Sequence, residues 1–118
     1  PITSSSELED LRGRKDDLLV QICQHKGADA YLSAQGSAQY IEADRPGGAF
    51  SLHGIELFYH HFEHPEYPQL YDGFLPYMCV LDLLFNCGYE DALSVIRRGR
   101  REPYSRDEFV KLWLNEED

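Results

Sequence analysis

The chain has 118 residues, which is enough for one domain with a single core and too few for two domains of ordinary size. Hydrophobic residues make up 42% and charged residues 27%, a balance typical of a folded globular protein, so we expect a single domain over residues 1–118. A formal charge of −10 repels phosphate backbones and anionic lipid surfaces, so neither a nucleic acid nor a membrane is expected as a partner.

The three cysteines, Cys23, Cys79 and Cys87, show no CxxC spacing and lie in apolar runs. An odd set of this kind indicates reduced, buried thiols, which predicts a cytoplasmic protein. No apolar run approaches the roughly 18 residues of a membrane-spanning helix, and the first ten residues lack the pattern of a signal peptide. A first residue of Pro rather than Met indicates that upstream sequence has been removed.

The first third of the chain alternates extended and helical patterns. Residues 2–8, ITSSSEL, are β-branched and rich in hydroxyls, as at the end of a strand that turns into a helix. Apolar residues from Asp16 to Lys26 recur at i, i+1, i+4 and i+5, which predicts an amphipathic helix closed by Gly27. Residues 28–34, ADAYLSA, predict a brief buried strand, and a short helix is predicted from near Ser37.

The middle of the chain predicts a strand and then a loop. Residues 53–62, HGIELFYHHF, alternate in polarity, with Ile55, Leu57 and Tyr59 on one side of the strand. Two prolines and Gly73 follow, and they mark an irregular loop.

The last third predicts three helices. Residues 76–88, PYMCVLDLLFNCG, are apolar nearly all round, which predicts a helix that is buried on most faces. Residues 89–99 predict a second helix, and residues 105–117 predict a third that opens with a capping box from Ser105 to Glu108. The whole order favours an α/β fold with a short, mostly parallel sheet, flanking helices and a helical C-terminal part.

The segment YHHFEHPEYPQ, residues 59–69, contains the pattern H-x-x-E-H, which is the signature of one class of zinc protease. That chemistry requires a helix, and Pro65 directly after the pattern excludes helical backbone from the residue before it. In a strand, Glu63 faces away from His60 and His64. We therefore predict no metal and no cofactor, and a looser metal site that uses His60, His64 and a distant acid is the alternative.

The loop after this strand is the better candidate for binding a ligand. His64, Tyr67 and Gln69 offer donors, acceptors and a stacking face in the region where open α/β folds place their ligand sites. The competing interpretation is that polar residues simply gather where a strand leaves the sheet.

Three other features carry weaker predictions. Ser33 and Gly36 lie between a strand and a helix start, where backbone amides bind anions, although a plain turn is favoured. Asp82 on an apolar helix must point outward or be paired, and we favour a hydrogen bond to another segment over a catalytic acid. The basic cluster is expected to complement a helix C-terminus, with phosphate binding as the alternative. It consists of Arg97, Arg98, Arg100 and Arg101.

Three stretches together resemble the C-terminal half of the WbqC-like protein family of bacteria: residues 27–41, GADAYLSAQGSAQYI, residues 64–69, HPEYPQ, and residues 74–88, FLPYMCVLDLLFNCG. The resemblance runs from about Ser4 to Gly88. It implies that the part of the histidine segment that belongs to the family pattern is HPxYPQ, so that the match to H-x-x-E-H is accidental. Family members usually begin with a His-Gln-Pro-x-Tyr motif, which is absent here, and Ala34 stands where a glycine is expected.

The resemblance implies a group transferase of bacterial surface polysaccharide or small-metabolite biosynthesis, to which this chain contributes part of a site for a small-molecule substrate. His64 is then expected to be the acid/base or orienting residue, and Asp82 to orient a neighbouring group. The expected substrate-binding residues are Tyr31, Ser33 and Gly36 on one wall and Tyr67 and Gln69 on another. The alternative is a non-catalytic interaction module that forms a homodimer. Its contact residues would be Phe74, Tyr77, Phe109 and Trp113.

Overall fold

The computed structural model describes residues 1–116, which form two compact units. Unit 1 contains Pro1–His60 and the residues from Pro103 onward, and unit 2 contains His61–Glu102. The helices of unit 1 are α1 (Lys15–His25), α2 (Ala38–Ile41), α3 (Gly48–Leu52) and α5 (Arg106–Glu116). Its strands are β1 (Ala30–Ser33), β2 (Glu56–Tyr59) and β3 (Tyr104–Ser105), and unit 2 contains the long helix α4 (Val80–Arg98).

The sheet of unit 1 has the strand order β1-β2-β3. Strand β1 runs parallel to β2 over four residue pairs, from Ala30 opposite Glu56 to Ser33 opposite Tyr59. Strand β3 runs antiparallel to β2 over two pairs. The predicted α/β class is therefore confirmed, and the sheet is mixed, with its longer pairing parallel.

The core of unit 1 forms where β2 meets the helices. Ile55, Leu57 and Tyr59 are buried on one side of the strand, as the alternating pattern predicts. Phe50 of α3 is fully buried and stacks on Tyr31 of β1 with ring centroids 4.9 Å apart. The Tyr59 ring packs on Phe109 of α5 at 4.4 Å, so aromatic contacts join the sheet to both α3 and α5.

A buried ion pair, which we call the Glu42 cluster, supplements this core. The Glu42 side chain is 6% exposed, and its carboxylate accepts hydrogen bonds from the Arg106 guanidinium at 2.8 and 3.1 Å. It also accepts from the Tyr59 hydroxyl at 3.1 Å and from the Gly47 backbone N–H at 2.8 Å. Burial and the neighbouring Glu42 raise the pKa of Tyr59, so this hydroxyl remains a donor.

Helix α5 begins with the capping box that the sequence predicts. The Ser105 hydroxyl and backbone N–H both donate to the Glu108 carboxylate at 3.0 Å, and the Glu108 N–H donates back to the Ser105 hydroxyl oxygen at 3.3 Å. The hydrogen bond from the Ser105 backbone N–H is the main reason that the pKa of Glu108 is lowered.

Unit 2 has a small core and a broken helix. Its buried side chains are Tyr67, Leu83, Ala92 and Val95. Helix α4 is interrupted at Gly88, where φ is 80° and ψ is 162°, so the predicted boundary between two helices appears as a break inside one element.

The ends of unit 2 are joined by a short antiparallel connection. Phe62 bridges Arg100, and the Glu63 N–H donates to the Gly99 carbonyl at 2.8 Å. A Cβ atom at position 99 would clash with the Glu63 carbonyl and the Phe62 ring. Glycine is therefore required at this position for close packing.

Three predictions about elements are wrong. Strand β1 is not a buried strand, since Ser33 is the one buried residue of its four. Residues 2–8 contain no strand; Ser5–Glu7 form a 3-10 turn instead, because the Glu7 carboxylate accepts the Ser4 backbone N–H at 3.2 Å and satisfies it locally. The helix predicted from Pro76 begins only at Val80, after Tyr77 adopts a positive φ of 62°. It is also not buried on most faces, since three of the four buried side chains of unit 2 belong to α4 itself and only Tyr67 comes from outside the helix.

The cysteines differ in environment, contrary to the prediction that all are buried. Cys23 is buried, Cys87 is half-buried, and Cys79 is exposed at the start of α4. Burial raises the pKa of the Cys23 thiol. Among the helices of residues 1–116, none combines the length and apolar character needed to span a bilayer.

Candidate functional sites

Asp82, in the first turn of α4, lies at the centre of a hydrogen-bonded group that we call the Asp82 cluster. Its carboxylate accepts from the Tyr67 hydroxyl at 2.6 Å, from the Gln69 amide at 3.0 Å and from the Asn86 amide at 3.2 Å. The hydrogen bond to Asp82 raises the pKa of Tyr67, so the phenol stays protonated and donates. The predicted pairing of Asp82 with another segment is confirmed, and the carboxylate acts here as an acceptor.

Gln69 closes the loop that follows the histidine segment. Its amide nitrogen donates to the Leu75 carbonyl at 2.9 Å, and its amide oxygen accepts the Leu75 N–H at 2.8 Å. Together with the bond to Asp82, these contacts use both ends of the side chain. Gln69 therefore shapes the loop, and a ligand would have to displace one of these partners to reach its amide.

His64 is also engaged with backbone groups. One ring nitrogen, Nδ1, lies 3.0 Å from the Pro65 carbonyl oxygen, and the other, Nε2, accepts the Tyr77 N–H at 3.2 Å. These partners correspond to the neutral tautomer with its proton on Nδ1. An acid/base role for His64 therefore requires the Tyr77 N–H to leave Nε2.

A small cavity of about 160 Å³ lies beside His64 in unit 2. Tyr67, Leu83 and Val95 form its floor, and Met78 and Cys79 lie at its edge. Because its walls are mainly apolar and His64 supplies the imidazole, the cavity suits a short apolar group. We call it the His64 cavity.

The H-x-x-E-H segment is not helical, as predicted. His61 and Glu63 approach at 3.9 Å, and Glu63 instead pairs with the Arg101 guanidinium at 2.6 Å. Within residues 1–116, no three His, Cys, Asp or Glu side chains form a group suited to a metal ion. The zinc-protease geometry is therefore not formed by this pattern.

Arg101 performs the role that we expect of the basic cluster. Its guanidinium donates to the Arg98 and Arg100 carbonyls at 2.8 and 2.9 Å, at the C-terminal end of α4. Together with the ion pair to Glu63, these hydrogen bonds give the Arg101 guanidinium a structural role.

In unit 1, two of the predicted substrate-binding residues lie at the edge of the core. Tyr31 stacks on Phe50, and burial is the main cause of its raised pKa. Ser33 is 2% exposed, and its hydroxyl donates to the Ala34 carbonyl at 3.1 Å. A ligand would therefore reach Ser33 only after rearrangement, whereas part of the Tyr31 side chain is exposed. The segment after β1 forms a short 3-10 turn, Gln35–Ser37, in agreement with the turn that the sequence favours.

Gly36, the third predicted residue, lines a cavity of about 270 Å³ in unit 1. We call it the Trp113 cavity. It lies beside the turn that follows β1 and is lined by Gln35, Gly36, Gln39, Tyr104, Phe109, Leu112 and Trp113. Sequence analysis did not identify the two glutamines, and their spacing of four residues around Gly36 is the signal that could have indicated them.

The surface of α4 is unusually apolar. Phe85 and Tyr89 are 85% and 88% exposed, and Leu81 and Leu93 are more than half exposed. We call these four residues the α4 stripe. Of the contact residues predicted for an interaction module, only Tyr77 is largely exposed; Phe109 is buried, and Phe74 and Trp113 are half-buried.

Comparison with known proteins gives a family match. The sequence profile of the WbqC-like protein family matches residues 1–93. The uncharacterised protein Rv1507c of Mycobacterium tuberculosis (strain ATCC 25618 / H37Rv) is 32% identical over 81 residues, which are 69% of this chain and 34% of that protein. The matched part is thus nearer to a third than to the predicted half of this relative. No solved structure gives a significant match.

Proposed function

The chain belongs to the WbqC-like protein family, and we propose that it supplies a small-molecule-binding part of a group transferase. The Trp113 cavity is the observation that supports this most directly. It follows the carboxyl end of β1, the usual ligand position in open α/β sheets, and it combines aromatic walls with uncharged polar groups. The proposed setting is bacterial surface-polysaccharide or small-metabolite biosynthesis in the cytoplasm.

In this proposal, His64 and Asp82 hold neighbouring groups of the protein in position. The Asp82 carboxylate orients Tyr67 and Gln69, and His64 fixes the backbone at Tyr77. Proton transfer by His64 would follow release of the Tyr77 N–H, which is held by one bond of 3.2 Å. The catalytic roles predicted for both residues stay predictions.

Thermal unfolding tests the proposal. The chain is screened against nucleotide sugars, acyl donors, amino acids, simple glycosides and nucleosides. Gly36→Leu introduces a bulky side chain at a residue that lines the Trp113 cavity, and a Cβ atom at this position causes no clash, since it meets nothing within 4 Å. Ala28→Leu, at an exposed residue outside the cavity, is the matched control.

We expect at least one ligand to raise the melting temperature of the wild type and of Ala28→Leu, and to have no effect on Gly36→Leu. If a ligand still raised the melting temperature of Gly36→Leu but not that of His64→Ala, the binding site would be the His64 cavity. Absence of any ligand-dependent shift over the whole screen would refute the binding role of this chain.

The α4 stripe favours a second candidate function, a protein-interaction surface that pairs two copies of the chain. The stripe has two large exposed apolar side chains on each side of the break at Gly88, and such side chains are a feature of contact sites on soluble proteins. In a twofold dimer the same stripe would face itself, so a single substitution would affect both sides of the interface.

Sedimentation of the wild type and of Phe85→Glu tests this candidate. We expect a dimer that Phe85→Glu converts to a monomer, whereas Ser94→Glu, at an exposed polar residue of the same helix, leaves it intact. A wild-type monomer at high concentration would exclude self-association through α4.

A further inference from the structure

The Trp113 cavity has a lining that restricts the charge of its ligand. None of the seven lining residues is ionisable near neutral pH, since they comprise two glutamines, one glycine, three aromatic residues and one leucine. An anionic or cationic ligand would lose hydration there without gaining a counter-ion. The formal charge of −10 on the chain further disfavours an anion.

The polar groups at the cavity exclude a purely apolar ligand. Gln35 donates its amide N–H to the His60 carbonyl at 2.8 Å, which leaves its amide oxygen as an acceptor. The Gln39 amide forms no hydrogen bond with any residue among 1–116, so both its donor and its acceptor are available. A ligand without polar groups would shield these amide atoms from water without forming hydrogen bonds to them, which is unfavourable.

Trp113 contributes an aromatic ring to the apolar part of the lining. Trp113 packs at the edge of the unit 1 core and stacks on no other ring within residues 1–116. Phe109 and Leu112 continue this apolar surface. The cavity, at about 270 Å³, lies just below the range of about 300–1,000 Å³ that is typical of larger organic ligands.

We propose that the Trp113 cavity binds a neutral, polyhydroxylated ring of pyranoside type, whose C–H face lies on Trp113 and whose hydroxyls bond to Gln35 and Gln39. Such a ring has an apolar face and carries donors and acceptors around its whole circumference. Gln35 offers an acceptor and Gln39 offers both a donor and an acceptor, and ring hydroxyls, which can donate and accept, match both amides. This inference rests on the proposed function and names the ligand class of the same cavity.

Intrinsic fluorescence tests the proposal directly, because Trp113 is the only tryptophan in the chain. Methyl pyranosides are titrated into the wild type, with adenosine and uridine as planar neutral ligands and glucose 1-phosphate as the charged ligand. We expect a saturable change in Trp113 emission with a pyranoside, and a much weaker response to the phosphorylated sugar.

Two pairs of variants connect the signal with the cavity. Gln39→Ala is expected to raise the pyranoside Kd by about tenfold, the effect of losing one or two hydrogen bonds, whereas Gln24→Ala, on α1 outside the cavity, leaves it unchanged. Gly36→Leu is expected to abolish the response and Ala28→Leu to preserve it. Circular dichroism at the same temperature confirms that each variant is folded.

The outcomes separate this inference from the proposed function. A response to adenosine or uridine that Gly36→Leu abolishes, with none to pyranosides, would overturn the ligand class and leave the binding function standing. A pyranoside response that persists in Gly36→Leu would place the sugar elsewhere and overturn the inference. No response to any compound, here and in the thermal screen, would overturn both.

Discussion

Each unit contains a carboxylate that accepts a hydrogen bond from a tyrosine hydroxyl, but the negative charge of the two carboxylates is compensated differently. Glu42 in unit 1 is paired with the Arg106 guanidinium, whereas Asp82 in unit 2 accepts only neutral donors, Tyr67 and two amides. Within residues 1–116, no cationic side chain pairs with Asp82. Unit 1 thus neutralises its internal charge, and unit 2 disperses it over hydrogen bonds.

The carboxylate that is paired with a cation lies in the unit with the larger apolar core. Glu42 lies beside a core that includes the fully buried Phe50 and Tyr59, where an unpaired charge would be poorly solvated. Asp82 is only half-buried beside a core of four residues, so water compensates part of its charge. The loss of a partner should therefore cost more in unit 1 than in unit 2.

The largest effect is expected for Arg106→Met. It leaves the Glu42 carboxylate, 6% exposed, without its cation, and should lower the free energy of unfolding by about 3 kcal/mol, the lower end for a broken buried ion pair because Arg106 is 26% exposed. Urea denaturation measures the loss. The double variant Glu42→Gln/Arg106→Met should be more stable than Arg106→Met. The control is Arg45→Met, at an exposed arginine of unit 1. If Arg106→Met lowered the free energy of unfolding by no more than this control does, the Glu42–Arg106 pair would not stabilise the protein.

An intermediate effect is expected for Asp82→Ala. Tyr67, Gln69 and Asn86 lose their shared acceptor, and the free energy of unfolding should fall by about 2 kcal/mol. Asp91→Ala, at an exposed acid of the same helix, is the control and should change it by less than about 0.5 kcal/mol. Hydrogen exchange of the 67–75 loop should accelerate in Asp82→Ala alone. Equal urea curves for both variants would mean that the cluster does not stabilise unit 2.

The smallest effect is expected at a third carboxylate, Glu108, which lies outside both clusters. Its pKa is lowered in the folded state, so its contribution to stability is present above the ordinary glutamate value of about 4.3 and is lost as the pH falls through the lowered folded value. Glu108→Gln should therefore reduce the fall in melting temperature between about pH 6 and pH 3. Glu9→Gln, at an exposed acid of unit 1, should leave that fall unchanged, and identical profiles for the two variants would contradict the capping contribution.

The candidate sites show why residue types alone predicted some roles and not others. Asp82 could be assigned a partner from sequence, because an acid on an apolar helix must be paired or exposed. The identity of that partner could not be assigned, since Tyr67 lies 15 positions earlier and only folding brings the hydroxyl to 2.6 Å. His64 was correctly placed in an irregular loop, but its contact with the Tyr77 N–H, 13 positions later, involves a residue with positive φ that no sequence pattern indicates.

Features that depend on near neighbours could be predicted from the amino-acid sequence: the capping box of Ser105 and Glu108, the alternation along β2, and the break at Gly88. Each follows from local geometry of the chain, which a short pattern encodes. The Glu42–Arg106 pair, across 64 positions, and the meeting of Gln35 and Gln39 with Trp113 became visible in the folded structure alone. Such contacts depend on how distant elements pack, and hydrophobic burial, which drives that packing, is not directional.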